Sequence, residues 1–437
     1  MRVLALIVAL VLAGAAPALA GEPVRSYETR PDLRPVAVQV LKSEPGVAPG
    51  SIFLAPKRGP GQGGPLIVGD DGEPIWFLPL AGGERATDFR MQRYQGRNVL
   101  TWWQGIANGG RGEGVGIIAD EHYRIIEKVR TGNGVRADLH EFTITPRGTA
   151  LLISYHDRRR DLSAWGGRKR GKVVDGVVQE VDIATGKVLF QWRAMGAIRL
   201  EESYDDAPRG RAAWDFVHLN SVAQDENGDF LVSARHAHAV YKISRATGKV
   251  VWRLGGKRSS FEMGAGTSFA LQHDARFEPD GTIRVFDNSS RRLRERSRVL
   301  WLRLDETAGT ATLEKERHHP ARVLAGTQAN AQELPNGNLL VGWGSQGRIS
   351  EFNAGGTLLL DLNLPIGWDT YRAYREAWAG RPLTAPKLVA ETRSDGGTTA
   401  YMSWNGATGV AGWQLLAGDS AASLQPVAFV PRRGFET

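Results

Sequence analysis

The sequence predicts an all-β fold, a six-bladed β-propeller followed by a small C-terminal β-sandwich-like module, and three observations carry that prediction. Two strand patterns alternate along the chain, one built as strand, Gly turn, strand and the other as a hydrophobic hairpin. Their turns carry Asp-Gly, Asn-Gly and Thr-Gly pairs, the chemistry of β-hairpins between segments of period-2 hydrophobicity. One copy of each pattern makes a four-stranded antiparallel unit, which cannot bury both faces alone, and radial stacking about an axis solves that problem.

The 437 residues include 55 Lys and Arg, 47 Asp and Glu, 53 Gly and 13 Trp, with 42% hydrophobic and 23% charged residues. This is globular composition and excludes collagen-like, coiled-coil and disordered chains. With no Cys, disulfides, thiolate metal sites and a Cys nucleophile are excluded as well.

Taken in order, Met1-Arg2, the apolar run Val3 to Leu12 and the small residues Ala18 and Ala20 predict a signal peptide over residues 1–20. A cleavable signal implies a periplasmic or secreted protein, and no later apolar run approaches the roughly 18 residues of a membrane span. Residues 21–44 form an N-terminal segment and residues 45–365 the propeller. The first pattern recurs at Asp88 to Trp103, His140 to Ser154, Asn220 to Arg235, His273 to Asn288 and Ala329 to Gly344, with Gly50 to Pro56 as a degenerate sixth copy. The second begins at Gly64, Gly116, Glu180, Val240, Leu300 and Ile349. Turn glycines Gly96, Gly148, Gly228, Gly281 and Gly337 stand 52, 80, 53 and 56 residues apart, and the long interval holds the loops 155–172 and 194–214. Residues 366–386 read as a helical linker, in which Trp368, Tyr371, Tyr374 and Trp378 suggest one helical face and Asp369 its cap. Short strands return over residues 387–437, the C-terminal module.

Innermost strands line a propeller's channel, so equivalent positions converge there. Eight residues before the turn glycines stand Asp88, His140, Asn220, His273 and Ala329, with His218 two residues ahead of Asn220. A single buried His is ordinarily a hydrogen-bonded core residue; three in register, in a chain with nine, predict a site. Arg235 ends the strand after His218, and Asn220, Asp274 and Arg276 are the candidate substrate contacts. Three imidazoles suit either a catalytic zinc or nucleophilic and acid–base chemistry near neutral pH. The guanidinium favours the second, because it repels a dication and binds sulfuryl or phosphoryl oxygens bidentately. No metal and no cofactor are expected: GxxxxGK[ST], HExxH and GxSxG are all lacking. Basic runs such as Arg158-Arg159-Arg160 read as solvated hairpin tips, so nucleic acid is not an expected partner. Trp102, Trp103, Trp165 and Trp343 are either packing residues or a stacking surface for an aromatic substrate.

The blocks DLHEFTITPRGTALL from Asp138, WDFVHLNSVAQDENGDFLVSAR from Trp214, TGKVVWRLGGKRSSF from Thr247, FALQHDARFEPDGTIRVFDNSS from Phe269 and YMSWNGATGVAGWQLLAG from Tyr401 resemble the arylsulfotransferase (ASST-like) family, its actinobacterial and fungal branch in particular. The resemblance covers about residues 45 to 430. It implies a six-bladed propeller that moves a sulfuryl group from an aryl sulfate to a phenolic acceptor, without the nucleotide donor PAPS, through a sulfated histidine. Carried over by motif, His273 of QHDAR is the implied nucleophile, with His140, His218 and Arg235 beside it. Better-known periplasmic members carry a disulfide, which this Cys-free chain lacks. Two rival classes stay open: a non-catalytic propeller binding an anionic glycan or cell-wall ligand, and a quinoprotein-like dehydrogenase suggested by TGKVVWRLGG.

Overall fold

A computed structural model describes residues 23–289 and 295–437, so the expected signal segment lies outside the described residues. The fold is all-β and propeller-like, built of antiparallel meanders of the kind the hairpin turns predict. Among the described residues no helix is long and apolar enough to cross a membrane.

The expectation of six separate blades needs correction. Four sheets have blade size, two of four strands and two of five, while a further sheet holds eight strands. The eight-stranded sheet is two meanders in series, Arg85–Tyr94 to Ile125–Val129 and Ala137–Ile144 to Val188–Arg193. One rung, Ala137 opposite Gly114, joins them. Gly114 permits the approach, since a Cβ there would lie 2.2 Å from the Gln104 carbonyl oxygen and 2.7 Å from the Trp103 ring.

The helix expected at Trp368 to Ala379 is absent, and the segment is extended. Strand Asp369–Thr370 pairs with Pro56–Lys57, and Tyr374–Glu376 pairs with Ser51–Leu54. The four aromatics share no face, because Trp368, Tyr371 and Tyr374 enter three different core clusters and Trp378 only packs against the last. The segment thus supplies the edge strand of the first sheet, while strand Gln39–Ser43 is added to the outer edge of the last, at Leu358–Asn363. Residues 387–437 form two separate hairpins rather than a packed sandwich. Lys387–Thr392 pairs with Thr398–Ser403 and Gly412–Ala417 with Gln425–Pro431, leaving Leu388, Val427 and Phe429 60, 61 and 68% exposed.

Where the inner strands meet, the core is ionic. Arg372, fully buried, donates to Asp88 at 2.8 Å and to Glu141 at 3.0 and 3.1 Å, and Arg276 donates to Glu141 at 2.9 Å. Burial alone would raise the Glu141 pKa, but Arg276, Arg372 and Arg90 together hold it below the ordinary carboxylate range. Removing one partner of such a cluster strands the others in a dry interior. Arg372→Met is therefore expected to cost about 3–5 kcal/mol of stability, read as a large fall in thermal midpoint. A midpoint within about 2 °C of the parent would show the cluster to be balanced without it.

Candidate active site

His140 lies within strand Ala137–Ile144, His273 opens strand His273–Phe277, and His218 directly precedes strand Leu219–Gln224. Arg235 opens the 3-10 turn Arg235–Ala237 that follows strand Phe230–Ala234. The four expected residues converge on one cavity of about 480 Å³, joined there by His236, Lys57, Arg58 and Arg85. Ring centroids lie 4.9 Å apart for both His140–His218 and His218–His236.

Each ring has its Nδ1 fixed from behind, which settles the tautomer. His140 Nδ1 bonds the Asp138 carboxylate, and His218 Nδ1 lies 2.7 Å from Asp215 Oδ2. Burial would raise the Asp215 pKa, yet the His218 ring outweighs it and holds the carboxyl at about 2. His236 Nδ1 lies 2.5 Å from the Asp215 carbonyl oxygen. The partners of His273 are neutral: Nδ1 lies 2.7 Å from Asn288 Oδ1 and 3.2 Å from the Leu271 carbonyl oxygen, both acceptors, so Nδ1 carries the proton. Its Nε2 accepts the Gln328 backbone N–H at 3.2 Å. Burial, reinforced by the Arg235 charge, pushes the His273 pKa well below the ordinary imidazole value, so the ring is neutral at pH 7. Two Asp-backed imidazoles thus face a third that is held neutral.

The cavity favours anions. Arg235 makes no ion pair with a carboxylate among the described residues; it donates to the Gly326 carbonyl oxygen at 3.2 Å, and its Nε has no partner. Lys57 and Arg58 both pair with Asp369. Tyr371 completes the wall, donating its hydroxyl to the Asn220 carbonyl oxygen at 3.1 Å, and burial raises its pKa well above the ordinary phenol value.

The three expected substrate contacts lie elsewhere. Asn220 is buried behind the cavity, donating to the Gln272 carbonyl oxygen at 2.7 Å. Asp274 and Arg276 pair with each other at 2.9 Å and line a separate cavity of about 750 Å³ with Arg90 and Arg284. Asp274 has a φ of +52° and the ladder shifts register between His273 and Arg276, so the chain turns these side chains away from the His273 cavity. Trp102, Trp103 and Trp343 are fully buried packing residues. Sequence reasoning missed His236, although it follows Arg235 directly, and Asn288, which lies in the FDNSS block on the chain paired with the His273 strand. Lys57 had no signal, since its pattern copy is degenerate.

Fold and site define a propeller-like protein with a cationic cavity lined by histidines. Residues 90–364 match the arylsulfotransferase (ASST) family, and the chain belongs to that family. No curated protein matches the chain. Among solved structures it is similar to a protein of unknown function from Bacteroides caccae, at 14% identity and a TM-score of 0.45 over 75% of this chain and 100% of that one. It is also similar to a Lactobacillus plantarum protein (13%, TM-score 0.39, 89% of this chain and 97% of that one). A third is virginiamycin B lyase from Staphylococcus aureus with quinupristin (9%, TM-score 0.34, 72% of this chain and 87% of that one).

Proposed function

We propose that the protein is an exported, PAPS-independent aryl sulfotransferase that works in two steps through a sulfated His273. The observation that carries this reading is the neutral His273 ring sharing one cationic cavity with two Asp-backed histidines and with Arg235, which has no carboxylate partner among the described residues. His273 Nε2 attacks sulfur in line; the N–S bond forms as the bond from sulfur to the aryl oxygen breaks, and the electron pair leaves on the phenolate. His140 gives that oxygen a proton and takes one back from the acceptor phenol, which then draws the sulfuryl group off Nε2. Arg235 and His218 hold the sulfuryl oxygens as charge develops. A chromogenic aryl sulfate tried with and without added phenols tests this: release should follow ping-pong kinetics and rise with acceptor. Absence of turnover with every donor would leave a binding protein.

A second reading rests on Asp215, His218 and His236, whose ligand atoms lie within 4.8 Å of one another and are of the kind that hold zinc. The transferase reading expects activity to survive a chelator, because the adjoining Arg235 opposes a dication. Loss on chelation with recovery on adding zinc would favour a metal-assisted hydrolase instead.

A further inference from the structure

The peptide that touches the nucleophile is held from four sides. The Gln328 N–H donates to His273 Nε2 at 3.2 Å, and its carbonyl oxygen accepts from Asn288 Nδ2 at 2.9 Å, the same amide whose oxygen fixes His273 Nδ1. The Gln328 side chain accepts from Lys57 Nζ at 2.6 Å and donates to Asp369 Oδ2 at 3.3 Å, while Lys57 and Asp369 pair directly. Behind it Gly344 comes so close that a Cβ would lie 2.5 Å from Ala329 N and 2.7 Å from the Gln328 carbonyl carbon. Gln328 and Ala329 have φ of +66° and +95°, left-handed values that non-glycine residues hold only where the surroundings impose them.

An N–H within hydrogen-bond reach of a nucleophilic nitrogen loses that acceptor once the nitrogen's lone pair becomes the N–S bond, and attack requires the sulfur, with the N–H to its side, to lie along that lone pair. The nearest acceptors it then meets are the oxygens of the sulfuryl group on the same nitrogen. We infer that the Gln328 backbone N–H is a donor to the transferring sulfuryl group, and that Lys57 is the residue that positions it. The inference rests on the transferase reading and adds to it a backbone donor, a positioning lysine and a strained segment. The bonds made and broken at sulfur are those already given; Nδ1–H stays on Asn288, and the Gln328 N–H passes from Nε2 to a sulfuryl oxygen.

Lys57 is buried on strand Pro56–Lys57, facing Asp369 from strand Asp369–Thr370, Arg85 from strand Arg85–Tyr94 and Arg58 beside it. Burial pulls its pKa down to about 8 against the pull of Asp369. It is therefore cationic and clamping below that pH and neutral above it, while His273 is neutral throughout. The test is the burst of phenol from a strongly activated chromogenic aryl sulfate such as 4-nitrophenyl sulfate, mixed with enzyme lacking acceptor and followed from pH 6.5 to 9.5, since its phenolate leaves without a proton from His140 and no acceptor ionisation enters. Wild type should show a burst rate that falls with a midpoint near pH 8. Lys57→Arg, which stays charged, should keep the burst and lose that fall, and Gln328→Ala, which keeps the N–H but not its anchor, should slow the burst about 10- to 100-fold with little change in KM. Lys57→Met should be slow at every pH; if it does not fold, the other two variants decide. An unaltered alkaline limb in Lys57→Arg, or a burst within twofold of wild type in Gln328→Ala, overturns the inference while leaving the transferase reading intact. A wild type with no burst and no turnover overturns both.

Discussion

His273→Ala is expected to lower sulfuryl transfer by about four to six orders of magnitude, the scale on which removal of a covalent nucleophile acts. The reason is a combination that His140 and His218 lack. His273 Nδ1–H is taken by Asn288 Oδ1, a neutral acceptor, and burial beside Arg235 keeps the ring unprotonated, so Nε2 holds a lone pair at pH 7. His140 and His218 have carboxylates behind them, which fix their rings and suit them to proton transfer rather than to nucleophilic attack. With donor alone, wild-type protein should gain one SO₃ group on the peptide containing His273, found by mass analysis of the quenched enzyme and missing from the variant. Label on another residue, or substantial turnover in His273→Ala, would assign the nucleophile elsewhere even if transfer itself were observed.

The parts of this fold that local chemistry dictates were legible in the sequence. Asp-Gly and Asn-Gly turns between alternating strands fix hairpins whatever lies around them, and strands such as Phe230–Ala234 and Ile283–Asp287 stand where the turns put them. The register of His140 and His273 was legible because a repeat places equivalent residues at equivalent depth in the channel. Long-range closure was not. Strand Tyr374–Glu376 pairs with Ser51–Leu54 from the other end of the chain, and it lies in a run, Tyr371 to Arg375, that is buried without interruption. A strand buried on both faces does not alternate, and its aromatic spacing imitated a helix.

The site divides in the same way. His140, His218, His273 and Arg235 were found because each sits on a repeat, whereas Lys57 lies on the strand that closes onto Asp369–Thr370 and Gln328 lies just ahead of the copy that begins at Ala329. Asp274 and Arg276 were misplaced for a local reason, since a left-handed residue and a register shift are invisible to a period-2 reading. Their arginine and carboxylate chemistry serves the ionic core around Arg372 and Glu141 instead.

Arg235→Lys should lower kcat/KM for the aryl sulfate by about 10²–10³-fold, a loss of roughly 3–4 kcal/mol in transition-state binding, and should leave stability almost unchanged. Both halves follow from what Arg235 touches. Burial pulls its pKa down, only partly opposed by the more distant Asp205 and Asp215, but a guanidinium starts so high that it stays charged. Among the described residues its side chain makes one hydrogen bond, to the Gly326 carbonyl oxygen, and pairs with no carboxylate. A half-buried cation left without a counter-ion costs stability, so the fold itself gives no reason to keep it. What it offers is a planar fork beside His273, matched to two oxygens of a sulfuryl group, and lysine supplies the same charge from a single point. The contrast with Arg372 is diagnostic, because that residue is ion-paired with Asp88 and Glu141 and should cost stability when changed. Steady-state kinetics with a thermal melt on the same Arg235→Lys preparation separates the two roles. A lysine variant within about fivefold of wild type would mean that the cavity needs only positive charge there, and a fall in melting point of several degrees would mean that Arg235 serves the fold.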